Sequence, residues 1–408
     1  MIGEADLKKL SNLVAGMRVI DAQLQAQLLG LSHAIHEAAE IRFEEKKSSK
    51  LLQDFLTNHD FAVTSAVAGM PTAFAAERSF GAGGPTIAIF CEFDALEGIG
   101  HGCGHNIIAG AGAGAAVLAT RWLAARDEPR GRVVVLGSPA EEGGGGKIRM
   151  LESGLLATVD AAIMVHPAGF DAVERTNPGR AAFDVRFHGK AAHAAAAPDQ
   201  GRNALDAVTL MLVAIGLLRQ QIRPDARIHA IVRDGGQAVN VIPEQASLSV
   251  FLRSPDGPYL RDRLVAAMRD CANGAALATG TVAEIEESSP AYLPVDANRV
   301  LVALAAHAWA AIGRSTEASG ANGGSSGSTD MGNVSLAVPA IHPYVCVHPG
   351  SVLHTRDFAQ RALSAEGDQA LLDGAALLAA IACTLATSPE LLGKVKESFL
   401  TSRDLVAP

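Results

Sequence analysis

Two histidines and a cysteine share the short stretch "GIGHGCGHNII", with His101, Cys103 and His105 at alternate positions of a glycine loop that runs into a Gly/Ala-rich helix. A thiolate and an imidazole are donors that borderline-soft divalent cations prefer. A free thiol beside a helix-capping histidine is the plain alternative, and this fragment alone does not separate the two. "GSPAEEGGGG" then sets Glu141 next to Glu142 directly after an apolar run. Adjacent carboxylates are costly to bury and ionise together unless a cation lies nearby. Neighbouring side chains diverge, so one can ligate while the other faces a water; a solvated surface pair is the alternative. His166 ends "AAIMVHPA" and His354 lies in "VLHTRDFA", where a hydrogen-bonded structural histidine and a helix cap are the ordinary explanations. Together Cys103, His105, Glu142, His166 and His354 offer five donors from four segments. That exceeds the three or four protein ligands one zinc takes, so the pattern suits two cations.

Such donors need strand ends to hold them. "PTIAIFCEF" (85–93), "RVVVLGSPA" (132–140) and "DAAIMVHPA" (160–168) are apolar, strand-like runs that end in polar loops, alternating with helical segments. This is the pattern of an α/β domain with a central, mostly parallel sheet, whose ligands bind at the carboxyl ends of the strands. Earlier, residues 4–58 have helical periodicity in two stretches broken near "EEKKSS", and "FAVTSAV" and "PTAFAAE" look like strands. From Arg180 the order becomes βαββαβ, a ferredoxin-like unit of ordinary domain size. The α/β pattern then resumes, with helices over 296–318 and 365–386. The expected division is a discontinuous catalytic domain of 1–179 and 291–408 with an inserted domain of 180–290. The Gly/Ser-rich run "SGANGGSSGSTDMGN" (319–333) inside a compact domain reads as a functional loop.

Bulk properties narrow the class. With 408 residues, two domains are the default. Hydrophobic residues at 49% and charged residues at 19% describe a globular chain, and aromatics at 4% leave the core to Ala, Val, Leu and Ile. The formal charge is −9, with no basic run, so neither nucleic acid nor an anionic membrane surface is an expected partner. "MIGEADLKKLSNLV" lacks a basic flank followed by an apolar core, so no signal peptide is expected. "AALLAAIACTLA" is too short a stretch to span a bilayer and reads as buried helix. Five scattered cysteines suit reduced thiols and a cytoplasmic location.

The motifs "EFDALEGIGHGCGHN", "PAEEGG", "VHPA", "GKAAHAAAAPDQGRNALDA", "NVIPEQASLSVFLRS" and "STDMGNVS" occur in an order that resembles the aminoacylase/glutamate-carboxypeptidase family of co-catalytic metallopeptidases. More narrowly they resemble its amidohydrolase branch, which holds indole-acetyl-amino-acid hydrolases, p-aminobenzoyl-glutamate hydrolase and β-alanyl-lysine-type dipeptidases. The similarity runs from "LSHAIHEAAEIRFEE" to "HTRDF". It implies that the inserted domain serves as a lid and dimerisation domain. It also implies that Cys103, His105, Glu142, His166 and His354 hold two divalent metal ions with a water or hydroxide between them. Glu141 would be the general base that passes a proton to the leaving amine. Asp94 matches an acidic residue that orients a ligand, and His193 one that stabilises the oxyanion, often from the other subunit of a dimer. Asn240 and Arg253 match positions that hold the substrate's carboxylate end, a task suited to an Arg fork. Their plain alternatives are a turn residue for His193 and a solvated strand residue for Arg253; His101 is placed behind the ligands. The resemblance also implies that Asp330 orders the Gly/Ser-rich run around the site and that His342 in "IHPY" faces the substrate.

Two departures from the family pattern stand out. Where many members carry His-x-Asp, this chain has Glu92 and Asp94 in "EFD"; the amidohydrolase branch also lacks that histidine and substitutes the Cys-Gly-His ligands. Asn106 also replaces an aspartate common in the branch, which alters the local field on the metals. The resemblance implies a metal-dependent amidohydrolase acting on an N-acyl amino acid, dipeptide or aminobenzoyl-amino acid. It further implies a small-molecule substrate bearing a carboxylate and a homodimer or higher homo-oligomer. Zinc or manganese is expected, with cobalt and nickel also compatible with mixed N/O/S ligation. Hydrolysis of another C–N bond, such as that of an aromatic amine, is a second reading. A silent homologue that binds a ligand or partner is a third, and the intact Glu141 argues against it.

Overall fold

The computed structural model describes residues 2–316 and 327–404. Residues 319–326 of the Gly/Ser-rich run therefore lie outside the described residues. The chain divides into two compact units, one of residues 1–175, 296–324 and 333–408, the other of 176–295 and 325–332. The expected boundaries at 180 and 290 thus differ by a few residues. Residues 325–332, expected in the first unit, belong to the second. Asn177 Nδ2 donates to the Gly327 carbonyl (2.8 Å) and Arg253 Nη1 to Ser328 Oγ (2.8 Å), which ties the segment there.

The first unit begins with three helices where two stretches were expected: α1 (Glu4–Met17), α2 (Ala22–Ala38) and α3 (Lys46–Thr57). Asp21 caps α2 by accepting the Leu24 N–H, and Ala39 ends it in the left-handed region at φ 42°. "EEKKSS" opens α3 and does not interrupt a helix. The chain continues through β1 (Ala62–Ser65), β2 (Phe74–Phe80), β3 (Thr86–Glu92), α4 (His105–Ala124), β4 (Gly131–Ser138), α5 (Gly146–Glu152), β5 (Ala161–Ile163) and β6 (His166–Ala168). The run 160–168, read as one strand, is split at Met164 and Val165 between β5 and β6.

The second unit contains β7 (Gly179–His188), α6 (Ala204–Leu218), β8 (Arg227–Asp234), β9 (Gln245–Ser254), α7 (Val265–Thr279) and β10 (Val282–Tyr292). Its sheet has the order β10-β7-β9-β8 with every neighbour antiparallel, the ferredoxin-like arrangement of a βαββαβ chain. β9 alternates buried Ala246, Leu248, Val250 and Leu252 with more exposed residues, so the sheet has one apolar face. That face packs with Met211 and Ile215 of α6 and Met268 of α7. A π-helical turn, Tyr259–Leu264, precedes α7.

Back in the first unit come α8 (Arg299–Ile312), α9 (Met331–Ser335), which starts in the second, β11 (Ala340–Ile341), β12 (Tyr344–Cys346), α10 (Arg356–Arg361), α11 (Ala365–Thr387) and α12 (Pro389–Asp404). The main sheet has the order β1-β2-β4-β3-β5-β11. β4, β3, β5 and β11 are mutually parallel, and β1 and β2 complete the edge in antiparallel pairs. A second parallel pair, β6 with β12, continues past β5 and β11 and sets Tyr344 opposite His166. All seven residues of β3 are buried, as expected of a strand covered on both faces.

α4 and α11 are long and apolar enough, by length and composition, to cross a membrane, and 83% of the most apolar window in each is buried. The stretch "AALLAAIACTLA" is thus part of a 23-residue helix, longer than the short buried segment expected. Small residues let these two helices approach closely. A Cβ at Gly110 would stand 2.4 Å from Leu371 Cδ1 of α11, and one at Gly112 would stand 2.5 Å from Cys91 Sγ of β3. A core with so few aromatics fills its volume by such close backbone contact.

Candidate metal centre

The chemistry-bearing residues of the first unit gather at the carboxyl ends of its parallel strands. Glu92 is the last residue of β3, with Asp94 two positions beyond; His105 is the first residue of α4, just after Cys103. β4 leads into the turn that carries Glu141 and Glu142, and His166 opens β6. Gly104 makes the loop-to-helix turn at φ +72°, and a Cβ there would stand 2.6 Å from Pro167 Cγ. The glycine is needed for both the turn and the close approach.

Cys103, His105 and His166 present donor atoms within 4.8 Å of one another, and so do Cys103, Glu142 and His354. Cys103 is common to both groups. Its Sγ lies 3.6 Å from His166 Nε2, and His354 Nε2 lies 3.4 Å from Glu142 Oε1. A third group joins Glu92, His105 and Glu141, with His105 Nε2 3.4 Å from Glu92 and 3.9 Å from Glu141. Oriented partners stand behind the donors. His105 Nδ1–H donates to Asp94 Oδ1 (3.0 Å) and His166 Nδ1–H to the Pro167 carbonyl (2.7 Å), so each ring turns Nε2 toward the cluster. The other oxygen of Asp94 accepts the Glu142 N–H at 2.9 Å.

A divalent cation fits this donor set. His105 Nε2, Glu142 Oε1 and Glu92 Oε2 are buried without a hydrogen bond, a costly condition that a cation relieves. Burial pushes the Glu142 carboxyl up, and burial with the Glu142 charge lifts the Cys103 thiol well above its ordinary value. Burial drives His166 down to about 4, leaving it a neutral donor at neutral pH. For His105 burial acts downward, but the charges of Asp94, Glu92 and Cys103 prevail and hold it well above the ordinary value. A cation reverses this logic, since a coordinating thiol is deprotonated outright. His354 sits in the left-handed region at φ 63°, anchored by its N–H to the Gly102 carbonyl (2.8 Å). Such strain in a residue other than glycine costs about 1–3 kcal/mol and clusters at functional sites.

The other expected residues are distributed as follows. His101 lies behind the cluster, its Nε2 on the Ile35 carbonyl (3.1 Å) and its ring 5.5 Å from that of His36; burial drives it down to about 3. Asn106 donates to Ser32 Oγ (2.9 Å) and the Ala362 carbonyl (3.3 Å), fastening α4 to α2 and to the end of α10. His342 is buried between the rings of His166 (5.3 Å) and Tyr344 (5.1 Å), with both nitrogens unbonded. His193 and Asn240 are exposed in the second unit and adjacent there: His193 bridges Val241, and the Ala194 N–H donates to the Asn240 carbonyl (3.0 Å). Arg253 stands on β9, directly opposite Arg180, and Asp330 is fully buried in the second unit.

Three members of the first-unit cluster were not singled out from the sequence. Lys147 Nζ is buried 2.5 Å from Glu92 Oε1, and both side chains are inaccessible. Its position right after the glycine run is the only local signal. Glu92 is distinguished in the sequence by standing where many family members have histidine. Glu45, whose buried carboxyl is pushed up to about 7 by burial and by the Asp94 charge, accepts the Ala140 N–H at 2.9 Å.

Residues 84–384 match peptidase family M20/M25/M40. The chain is 38% identical over 387 residues to the Xaa-Arg dipeptidase of Mus musculus, covering 92% of this chain and 89% of that protein. It is 37% identical over 311 residues to a p-aminobenzoyl-glutamate hydrolase polypeptide of Escherichia coli (strain K12), covering 70% of this chain and 63% of that one. A crystal structure from Bacillus subtilis, described as a dinuclear metal binding peptidase from the M20 family, shares its fold. The TM-score is 0.62 at 22% identity, over 88% of this chain and 99% of that one. With the strand-end cluster of thiol, imidazole and carboxylate, these likenesses give one assignment: the chain belongs to peptidase family M20/M25/M40.

Proposed function

We propose that this protein hydrolyses the amide bond of a small N-acyl amino acid, dipeptide or aminobenzoyl-amino acid, using two divalent cations held by Cys103, His105, Glu142, His166 and His354. The observation that carries the reading is the pair of donor groups sharing Cys103, with buried, unbonded atoms of His105 and Glu142 facing them. When bound, such cations polarise a carbonyl and lower the pKa of water toward neutrality.

Glu141 is the general base. It takes a proton from the attacking water as the new C–O bond forms, then gives it to the amine nitrogen as the C–N bond breaks. Asp94 holds His105 by Nδ1 and the Glu142 backbone by its other oxygen, so one carboxylate orients a donor ring and the segment that carries the base. His193 stabilises the oxyanion, Asn240 and Arg253 bind the substrate's carboxylate, and His342 lies against the substrate. Asp330 orders the neighbouring loop. The relatives named for Xaa-Arg dipeptides and for p-aminobenzoyl-glutamate support this class, since each of those substrates has an amide next to a carboxylate.

The catalytic part is discontinuous, and the part beginning near 180 acts as lid and dimerisation domain in a cytoplasmic homodimer or higher homo-oligomer. Zinc or manganese is the metal. The test is a panel of N-acyl amino acids, dipeptides and anilines with metal-reconstituted protein, run beside Glu141→Gln. Turnover of carboxylate-bearing amides that vanishes in the variant supports the reading; equal turnover by both proteins removes it.

A further inference from the structure

The turn that carries Glu141 and Glu142 is fixed from outside by a segment remote in sequence. Residues 40–45 lie along the exits of both β3 and β4. The Glu40 carbonyl accepts the Ala95 N–H (2.8 Å), and Ile41 forms a parallel bridge with Ala95, one residue past Asp94. Five residues on from Glu40, Glu45 Oε1 accepts the N–H groups of Phe43 (2.8 Å) and Ala140 (2.9 Å), and Oε2 accepts the Thr72 hydroxyl (2.9 Å). The Glu45 side chain is fully buried. Ala140 itself sits in the left-handed region at φ 60°, a conformation that must be imposed on alanine. On the far side of Glu141, the Glu142 N–H is taken by Asp94. Two buried carboxylates therefore hold the peptide N–H groups on either side of Glu141.

We propose that Glu45 is a positioning residue for Glu141, its carboxyl oxygen on the Ala140 N–H imposing the strained turn that aims the base. The inference rests on the reading of Glu141 as general base. Its logic is steric and directional. Without an acceptor at that point, the Ala140 N–H would be buried and unsatisfied, and alanine would relax toward negative φ, turning the next side chain away. Glutamine suits the same place. Its carbonyl can accept from Phe43 and Ala140 while its amide donates to Thr72 Oγ, whereas aspartate is one methylene too short to serve both sides.

The test uses the metal-loaded enzyme and three variants. Glu45→Ala and Glu45→Asp are expected to lower kcat by about 10²-fold, as misplacement of a catalytic group by ~1 Å does. KM and bound metal per chain should stay unchanged, and amide hydrogen exchange should quicken across 138–145. Glu45→Gln should restore both kcat and slow exchange. If the Ala variant does not fold, the Asp variant carries the test. Wild-type kcat in Glu45→Asp overturns the proposal, as does loss of activity in step with loss of metal or failure of Gln to rescue. Glu141→Gln run in parallel separates the two levels. An active Glu141→Gln removes the general-base reading itself; an inactive one with an active Glu45→Asp removes only the positioning role.

Discussion

The larger sheet of each unit carries charge in a way opposite to the other. On the second-unit sheet, Arg186 pairs with Glu286 (2.8 Å) and His188 with Glu284 (3.0 Å), each side chain about half exposed at 43–54%. Water and salt screen such pairs, and they contribute little. At the carboxyl ends of the first-unit sheet, Glu92, Asp94, His105 and Lys147 are all inaccessible, and Glu141 is nearly so. Burying that many ionisable groups works against stability unless they are paired or bound to a cation. Charge that a fold could have left outside, and did not, marks where chemistry is done.

The sharpest break of this contrast is Glu141→Gln. Turnover should fall about 10³-fold, the scale of a lost general base, while elemental analysis finds metal retained. Cys103→Ala removes the donor common to both groups, so bound metal per chain should drop, as measured by elemental analysis. Full occupancy would break the two-cation reading. Asp94→Asn weakens the orientation of His105 and should lower metal affinity by about 10–100-fold in a competitive chelator titration.

Glu45 gives a pH test of the same buried region. Its carboxyl, ordinarily near 4.5, titrates at about 7 in the folded protein. Between those values the native state binds the proton and the unfolded chain does not. The stability from the neutral form is complete below about pH 4.5 and is lost as pH rises toward 7. Glu45→Gln, neutral throughout, should gain on wild type over that interval by up to ~3 kcal/mol in denaturant titrations of the metal-free protein. Equal pH slopes would contradict the shift. At the other end, Glu286→Gln on the exposed sheet should leave the melting temperature unchanged; a clear drop would erase the contrast.

How much of the site could be seen in the sequence follows from chain distance. Cys103 and His105 are neighbours on one loop, Glu141 and Glu142 are adjacent, and His166 ends an apolar run, so residue type and strand periodicity suffice to find them. Glu45 lies ninety-odd residues before the turn it holds, in a stretch where charge looks like helix surface. Long-range contacts such as the bridge of Ile41 to Ala95 and the Thr72 hydroxyl on Glu45 bring it there. Lys147 was hidden for a different reason. A lysine at a helix start is normally solvated, and its burial depends on Glu92 waiting at the end of β3. The break between α1 and α2 rests on a local cap, Asp21 accepting the Leu24 N–H, which periodicity alone passes over. The attachment of the 325–332 segment is instead set by the tertiary hydrogen bonds of Asn177 and Arg253. Fold class was clear because the buried parallel strands are continuously apolar.

The seam between α4 and α11 has a consequence well outside the core. The helix whose first residue is His105 rests on its neighbour at Gly110, where one added methyl would collide with Leu371 at 2.4 Å. Leu371 is itself fully buried, so its side chain must swing into occupied space or the helix must shift and carry its leading imidazole with it. Inactivating substitutions should therefore turn up among bland alanines and glycines that never meet a reactant. For this protein, a tolerance map of the helix interior would double as a map of catalytic alignment.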